Sequence, residues 1–242
     1  MKPESPFYAQ CLKSLMMSPL FRDLDSPTLQ AMLGICRRET WTKGARLPPE
    51  YGMRFLTIVI SGRMELTRTN PETGREVTLF TCGPGDAYDV ITLLDGREHE
   101  LQPLAVGPLE AITAPLDQVR PWIERNPVFN RALLPYLGER IRELENLSAD
   151  LALYETVKRL ALLILQQATP EPLTNEQGAA RPPLINTLTD EAMARMIGSV
   201  RGVVNRHIQD FTHMGLISTS HGQLVVRDLE KLREYCERLL LK

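Results

Sequence analysis

The 242-residue chain is predicted to be an α+β protein with an N-terminal β-roll of the jelly-roll type, a long helix and a C-terminal winged helix-turn-helix. Three observations support this fold class. Short β-rich runs separated by Gly and Pro fill residues 41–114, apolar residues spaced by three and four run through 127–153, and a helix, glycine turn, helix and hairpin follow in 188–226. The predicted domains are therefore 1–126, 127–153 and 154–242.

Composition indicates an ordinary globular protein, with 43% hydrophobic and 24% charged residues and enough length for two domains. The first residues lack the basic and apolar regions of a signal peptide, and no apolar run reaches membrane-spanning length. We therefore expect a cytoplasmic protein that binds no membrane. The cysteines form no Cys-x-x-Cys pair and are expected to be free thiols: Cys11, Cys36, Cys82 and Cys236.

The N-terminal region begins with helical spacing over residues 15–39, in which Ser26-Pro27 is typical of a helix start. Short strands are predicted after it, because β-branched and aromatic runs alternate with turn residues. The predicted strands are 55–60, 64–67, 76–80, 104–106 and 109–113. Regular short strands of this kind predict a roll or barrel.

The long helix over 127–153 carries apolar residues at the spacing of a coiled-coil seam, interrupted at Ser148. Since such a seam would be exposed on a lone helix, it predicts a homodimer. Packing of the helix on its own β-roll is the alternative, and Leu133 and Leu147 allow it. A buried helix over 154–167 and a surface loop over 171–183 are predicted to follow. The seam residues are Leu134, Leu137, Ile141, Leu144 and Leu151.

The C-terminal pattern starts with Thr189, a helix cap followed by two carboxylates. Gly198 then breaks the helical period, and Ser199 is predicted to cap a second helix over 199–212. A glycine stop and two strands, the second over Gln223–Val226, form the predicted wing. The first helix has one apolar face, made by Ala192, Met193, Met196 and Ile197.

The outer side of the second helix is the candidate DNA-binding surface, since arginine reads guanine or phosphate, and asparagine and glutamine read adenine. Arg195 and His207 are expected to add positive charge, with no acid among them. An ordinary solvated helix face is the alternative. The chain carries a net charge of −2, so the basic surface is local and a single copy is expected to bind weakly. The candidate residues are Ser199, Arg201, Gly202, Asn205, Arg206 and Gln209.

The segment from Gly198 to Arg206 resembles the turn and recognition helix of the CRP/FNR family of bacterial transcription regulators. Lys43-Gly44, 60–66 and 83–86 resemble turns of the family's cyclic-nucleotide-binding-like β-roll, a double-stranded β-helix. The resemblance covers nearly the whole chain. It implies a homodimeric regulator that reads near-palindromic double-stranded DNA, with RNA polymerase as a further partner. Gly202 stands where the family often has a glutamate.

The cyclic-AMP cassette of the family is not kept. An ungapped comparison places Asp89-Val90 where cyclic-AMP-binding members have a Gly-Glu pair for the ribose, and Glu100-Leu101 where they have the Arg-Ser pair for the phosphate. Valine cannot bond a hydroxyl and a glutamate repels an anion. We therefore expect no response to cyclic AMP. The candidate effector pocket comprises Asp89, Val90, Arg97, His99, Glu100 and Leu101.

No cofactor is predicted. An iron–sulfur cluster needs clustered cysteines, whereas Cys11 and Cys36 stand far apart. Haem is conceivable on His99 or Cys82, although a single loop histidine is usually solvated. The alternative function is a β-roll enzyme or a carrier of haem or a hydrophobic effector with a helical appendage, but no catalytic motif supports it. The apolar residues around Val90 are either plain core or the lining for such an effector.

Overall fold

The structure, a computed structural model, describes residues 5–48, 50–98, 100–168, 189–220 and 223–239. The helices are α1 (Pro6–Met17), α2 (Ser26–Ile35), α3 (Glu50–Arg54), α4 (Val90–Asp95), α5 (Leu116–Glu124), α6 (Pro127–Leu153), α7 (Thr156–Gln167), α8 (Asp190–Met196), α9 (Arg201–His213) and α10 (Leu229–Arg238). The strands are β1 (Arg37–Trp41), β2 (Phe55–Ser61), β3 (Met64–Thr69), β4 (Glu76–Cys82), β5 (Ala87–Tyr88), β6 (Gln102–Ala105), β7 (Leu109–Pro115), β8 (Ile217–Ser220) and β9 (Gln223–Val226).

The chain divides into two compact units. The first comprises Met1–Arg68 and Leu79–Glu145, and the second comprises Thr69–Thr78 and Asn146–Lys242. The tip of the β3–β4 hairpin, residues 69–78, therefore groups with the C-terminal residues. Chain order alone does not indicate this grouping.

The first unit is built on two antiparallel sheets, ordered β1-β7-β2-β5 and β4-β3-β6. Strands distant in sequence are neighbours, as when β7 lies between β1 and β2, and this crossover is typical of a jelly roll. The interior is filled by alternate side chains of the strands, among them Val59, Met64, Tyr88 and Leu109, all fully buried. The predicted fold class is confirmed.

A second apolar cluster joins the flanking helices to the β-roll. Phe21 and Phe129 pack with ring centroids 5.5 Å apart, and Trp122 meets the Phe129 ring edge-on at 5.4 Å. The predicted helix start at Ser26-Pro27 is confirmed as the start of α2, and its cap is Asp25, whose carboxylate accepts the N–H of Thr28 at 2.9 Å. Aromatic packing of this kind anchors the beginning of α6 to the first unit.

The second unit contains the predicted helix, glycine turn, helix and hairpin. Its core includes Ile164 from α7, Phe211 from α9 and Leu232 from α10, and each of these side chains is fully buried. The hairpin pairs β8 with β9 in the register from Ile217↔Val226 to Ser220↔Gln223. The predicted loop over 171–183 lies outside the described residues. The predicted turn between the two strands lies partly outside them.

Several elements were not predicted. β1 is short and polar, α3 and α4 span only five and six residues, and α5 contains Pro121. None of these segments is long or periodic enough to give a clear pattern in the sequence. The four cysteines are free thiols, as expected. Among the described helices, none is both long enough and apolar enough to cross a bilayer.

Gly62 joins β2 to β3 with φ +85°, and a Cβ added there would lie 2.2 Å from the backbone oxygen of Pro108. Gly44 has nearly the same φ, +83°, but a Cβ would meet open space. Alanine at either position has to adopt an unfavourable left-handed backbone, yet only at position 62 must the backbone also move. We expect Gly62→Ala to lower the free energy of unfolding by about 1–3 kcal/mol more than Gly44→Ala.

Urea unfolding followed by tryptophan fluorescence checks this prediction, because Trp41 and Trp122 are the chain's two tryptophans and both lie in the first unit. Equal midpoints for the two variants would contradict it.

Candidate nucleic-acid interface and effector cavity

The turn between α8 and α9 depends on Gly198. α8 begins with Thr189, whose hydroxyl accepts the N–H of Ala192 at 3.2 Å. It ends where Gly198, at φ +59°, donates to the carbonyl of Arg195 at 3.2 Å and Ser199 donates to that of Ala194 at 2.8 Å. This paired bonding is a Schellman motif, which favours glycine because of its left-handed backbone.

The predicted role of Ser199 as a helix cap is wrong. Its N–H completes the end of α8, and α9 begins at Arg201 with Val200 as the N-cap residue and no side-chain cap. The recognition helix is thus 201–213 rather than 199–212. The first amides of α9 have no side-chain cap and are available to water or to a phosphate oxygen.

The structure places the remaining candidate residues on the solvent side of α9. Val204, Ile208 and Phe211 form its buried face. Since α9 is amphipathic in this way, the opposite face is free to approach a ligand. The exposed candidates are Arg201, Gly202, Asn205, Arg206 and Gln209.

An acid from the preceding helix also lies on this surface. The side-chain amide of Asn205 donates to the Asp190 carboxylate at 3.1 Å, and the amide of Gln209 donates to the Asn205 oxygen at 3.0 Å. Asp190 comes from the preceding helix, so the pattern of α9 alone could not reveal it. The two amides are oriented by this chain of hydrogen bonds, while Arg201 and Arg206 supply the exposed positive charge.

Arg195 is not part of the exposed basic surface. Its guanidinium lies 3.9 Å from the Glu76 carboxylate, and only 12% of the side chain is exposed. His207 lies 3.7 Å from the Asp210 carboxylate, which reduces its contribution as well. The expectation that Arg195 adds to the positive charge of this surface is therefore wrong, and the contribution of His207 stays a prediction.

A cavity of about 350 Å³ lies within the first unit, between the β-roll and α6. This volume is at the lower end of the range for small-molecule sites. The lining is overwhelmingly apolar and comes from β3, β4, β5, α4 and α6. It comprises Leu66, Phe80, Cys82, Ala87, Asp89, Val90, Ile91, Leu94, Asp95, Tyr136, Leu137, Arg140, Ile141 and Leu144.

Of the predicted pocket residues that the structure describes, Asp89 and Val90 line this cavity and the others do not. Arg97 is exposed, Glu100 is exposed and paired with Arg68, and Leu101 is buried in the β-roll core. The prediction is therefore wrong for these three residues, because their side chains are taken up by solvent, by an ion pair and by the core. His99 lies outside the described residues.

Asp89 has an unusual backbone, with φ +69° in a non-glycine residue. Its carboxylate accepts the N–H of Thr92 at 3.4 Å and so caps α4. The carboxylate also lies against Gly52, where an added Cβ would be 1.8 Å from an Asp89 oxygen. Aspartate tolerates the left-handed region better than most residues, and the absence of a side chain at Gly52 lets it fit.

Arg140, a cationic side chain of the cavity lining, is already paired with carboxylates. Arg140 lies 3.6 Å from Asp86 and 3.1 Å from Glu143, and its guanidinium stands 5.2 Å from the Tyr136 ring centroid. Burial raises the pKa of the Cys82 thiol to about 12, so this thiol is neutral at physiological pH. The cavity therefore offers an apolar interior with a neutralised cation, which suits an apolar ligand better than a phosphate.

α6 has two apolar faces. Phe129, Leu133 and Tyr136 are buried against the first unit, as the own-domain alternative predicted. Leu134 and Ile141 of the predicted seam are 73% and 57% exposed. Of the other seam residues, Leu137 and Leu144 are partly buried and line the cavity, and Leu151 is 36% exposed. Leu134 and Ile141 thus remain the most exposed residues of the seam in a single copy.

Sequence reasoning missed the contribution of the hairpin tip, residues 69–78. The Arg75 guanidinium donates a hydrogen bond to the carbonyl of Gly198 in the helix-turn-helix. The residues stand more than a hundred positions apart, and no local pattern connects them. Among the described residues, no group of three His, Cys, Asp or Glu side chains is arranged to hold a metal ion.

A jelly roll with a cavity, a long helix with exposed apolar residues and a winged helix-turn-helix are the parts of a DNA-binding transcription regulator. Residues 158–235 match the family model of the Crp-like helix-turn-helix domain. The chain is 32% identical over 177 residues to the CRP-like cAMP-activated global transcriptional regulator of Mycobacterium tuberculosis, covering 73% of this chain and 77% of that protein. The chain belongs to the CRP/FNR family of transcription regulators, as the sequence predicted.

Other comparisons agree. The Cyclic AMP receptor protein of Thermus thermophilus is 27% identical over 219 residues, covering 90% of this chain and 96% of that protein. The structure of the c-di-GMP-responsive global regulator CLP of Xanthomonas campestris matches with a TM-score of 0.72 at 15% identity, covering 84% of this chain and 100% of that one. The latter shows the shared fold. These findings favour a DNA-binding regulator over the alternative of an enzyme or carrier.

Proposed function

We propose that the protein acts as a homodimer that places one α9 of each copy in successive major grooves of a near-palindromic site, and that it does so without cyclic nucleotide. The observation that carries the proposal is the exposure of Arg201 and Arg206 on the outer side of α9, directly after the Gly198 turn. Recognition helices of this class read bases with their N-terminal residues. RNA polymerase is a further proposed partner, on the family resemblance alone.

Arg201 and Arg206 match arginine positions of the family's recognition helix and are the proposed readers of guanine or phosphate. Gly202 lies between them, where a Cβ would meet open space. The cytosine contact that a glutamate makes from this position in relatives is therefore absent. We expect a target site related to that of other family members but altered at that base.

Arg201→Ala should weaken binding to the specific site by about 1–3 kcal/mol and relax the preference at one base position, because a bidentate contact to guanine is lost. The measurement is fluorescence anisotropy with a site selected by the wild-type protein and with random DNA. Arg233→Ala is the matched control, since Arg233 is an exposed arginine on α10. If Arg201→Ala and the control bind both DNAs alike, the assignment of Arg201 is wrong.

The dimer is proposed on the exposed apolar residues of α6. Leu134 and Ile141 are seven residues apart, two turns of helix, and fall on one stripe. Such a stripe is costly to leave in water and suits a second copy of the same helix. A dimer also doubles the small basic surface of α9, and phosphate neutralisation supplies much of the affinity for DNA.

Leu134→Glu with Ile141→Glu should convert the dimer to a monomer, because carboxylates would be buried in the seam. Both residues are exposed in one copy, so the fold of the subunit should survive. Met17→Glu is the matched control, since Met17 is as exposed as Leu134, at 73%, but lies on α1. Sedimentation velocity at micromolar concentration checks the mass, and a monomeric wild-type protein would refute the proposal.

Independence from cyclic nucleotides is proposed on the residues of the cavity. The M. tuberculosis relative is named as cAMP-activated, but this chain has Val90 where the ribose acceptor is expected. Glu100, at the position expected for the phosphate contact, is exposed and paired with Arg68. Arg140 is paired with two carboxylates. A cyclic phosphate would therefore enter an apolar cavity without a free cation, and desolvation of its charge would be uncompensated.

Isothermal calorimetry with cyclic AMP and cyclic GMP should show no saturable heat at micromolar or millimolar ligand. Loss of the charge-assisted bonds costs roughly 1.5–3 kcal/mol each, and each 1.4 kcal/mol is about tenfold in affinity. The M. tuberculosis relative serves as the positive control. A micromolar dissociation constant for this chain would contradict the proposal.

A further inference from the structure

The tip of the β3–β4 hairpin is a well-defined turn in the second unit. The side-chain oxygen of Asn70 accepts the N–H groups of Glu72 and Thr73 at 2.9 and 3.1 Å. The backbone closes the turn, with the Asn70 N–H donating to the Arg75 carbonyl at 2.8 Å and the Gly74 N–H donating to the Asn70 carbonyl at 2.9 Å. Asparagine commonly stabilises tight turns in this way. Arg75 is therefore presented from an ordered turn.

Two neighbouring residues of this tip contact the helix-turn-helix. The guanidinium of Arg75 donates to the Gly198 carbonyl, and the Glu76 carboxylate lies 3.9 Å from the guanidinium of Arg195 on α8. The side chains of Glu76 and Arg195 are only 18% and 12% exposed. A cation at the C-terminal end of a helix also meets the negative end of its dipole. The tip thus binds both the last turn of α8 and the glycine that follows it.

The Gly198 turn is also tightly packed. A Cβ at this position would lie 2.6 Å from the Leu151 side chain at the end of α6 and 3.9 Å from a methyl group of Val77 in β4. The turn therefore lies between the end of α6 and the hairpin tip. Since Arg201 begins α9 three residues later, any change in this turn changes where the arginines of α9 point.

We infer that Arg75 is a positioning residue for DNA recognition: through its bond to Gly198, the hairpin tip fixes the angle between α8 and α9 and thereby the placement of Arg201 and Arg206. The inference rests on the proposed reading of DNA by α9. The strands that carry the tip continue into the first unit, where Leu66 of β3 and Cys82 of β4 line the cavity. The same two strands therefore serve the cavity and the DNA-reading turn.

The test compares Arg75→Ala, Arg75→Lys and Arg68→Ala in the full-length protein, with Arg201→Ala as reference. Affinities are measured by anisotropy for the selected site and for random DNA, each over a range of salt. Arg75→Ala should lose roughly tenfold on the selected site and much less on random DNA, because one charge-assisted hydrogen bond is lost. Arg75→Lys should recover most of the loss, since an ammonium can also donate to the Gly198 carbonyl. Arg68, an exposed arginine of the same hairpin paired with Glu100, should have no effect.

The salt dependence separates positioning from a direct phosphate contact. Loss of a positioning residue leaves the slope of log affinity against log salt unchanged. Loss of a phosphate contact makes this negative slope shallower by about one. For Arg75→Ala, a shallower slope, equal losses of affinity on both DNAs, or wild-type affinity would each overturn the inference. If Arg201→Ala still loses specificity in those cases, only the role of Arg75 fails. If Arg201→Ala is also without effect, the proposed function fails.

A second pair of variants tests the tip without changing Arg75. Glu76→Arg should reduce the preference for the selected site, because the new guanidinium would repel the guanidinium of Arg195 beside it. The exchange Glu76→Arg with Arg195→Glu restores opposite charges and should recover part of the preference. Absence of any recovery, with unchanged thermal stability in both proteins, would count against the tip as a positioning element.

Discussion

The left-handed backbone at Gly198 is the constraint on which the DNA-reading half of the protein depends. With φ +59°, it lets the chain end α8 in a Schellman motif and begin α9 three residues later. Any side chain here would carry the conformational cost of positive φ and would also collide with Leu151. Gly198 therefore meets three requirements: it adopts positive φ, it leaves room for the Leu151 side chain and it sets where α9 begins.

α6 serves two purposes because its faces differ. Phe129 and Tyr136 hold it to the first unit, while Leu134 and Ile141 leave an apolar stripe in solvent. A helix that only covered its own β-roll would need the first face alone. The second face is the physical basis for the proposed symmetric dimer, since the same stripe on a second copy is complementary to it.

The first unit keeps the family's architecture, and its cavity is lined mainly by apolar side chains. Val90 lies in the cavity wall, and Asp89 uses its carboxylate to cap α4 rather than to bind a ligand hydroxyl. Arg140 is neutralised by Asp86 and Glu143. An apolar cavity beside paired charges favours apolar contents, and this is the physical basis of the proposed independence from cyclic nucleotides.

The sequence by itself determined the features that depend on local periodicity: the helices on either side of Gly198 and the apolar residues spaced along α6. Backbone preferences and helical spacing act over a few residues and can be read directly. Only the tertiary structure decided that Arg195 pairs with Glu76, that Asp190 accepts a hydrogen bond from Asn205 and that Arg75 donates to the Gly198 carbonyl. These contacts join residues of different elements, so their pairing depends on how the chain folds back and leaves no periodic signal in the sequence.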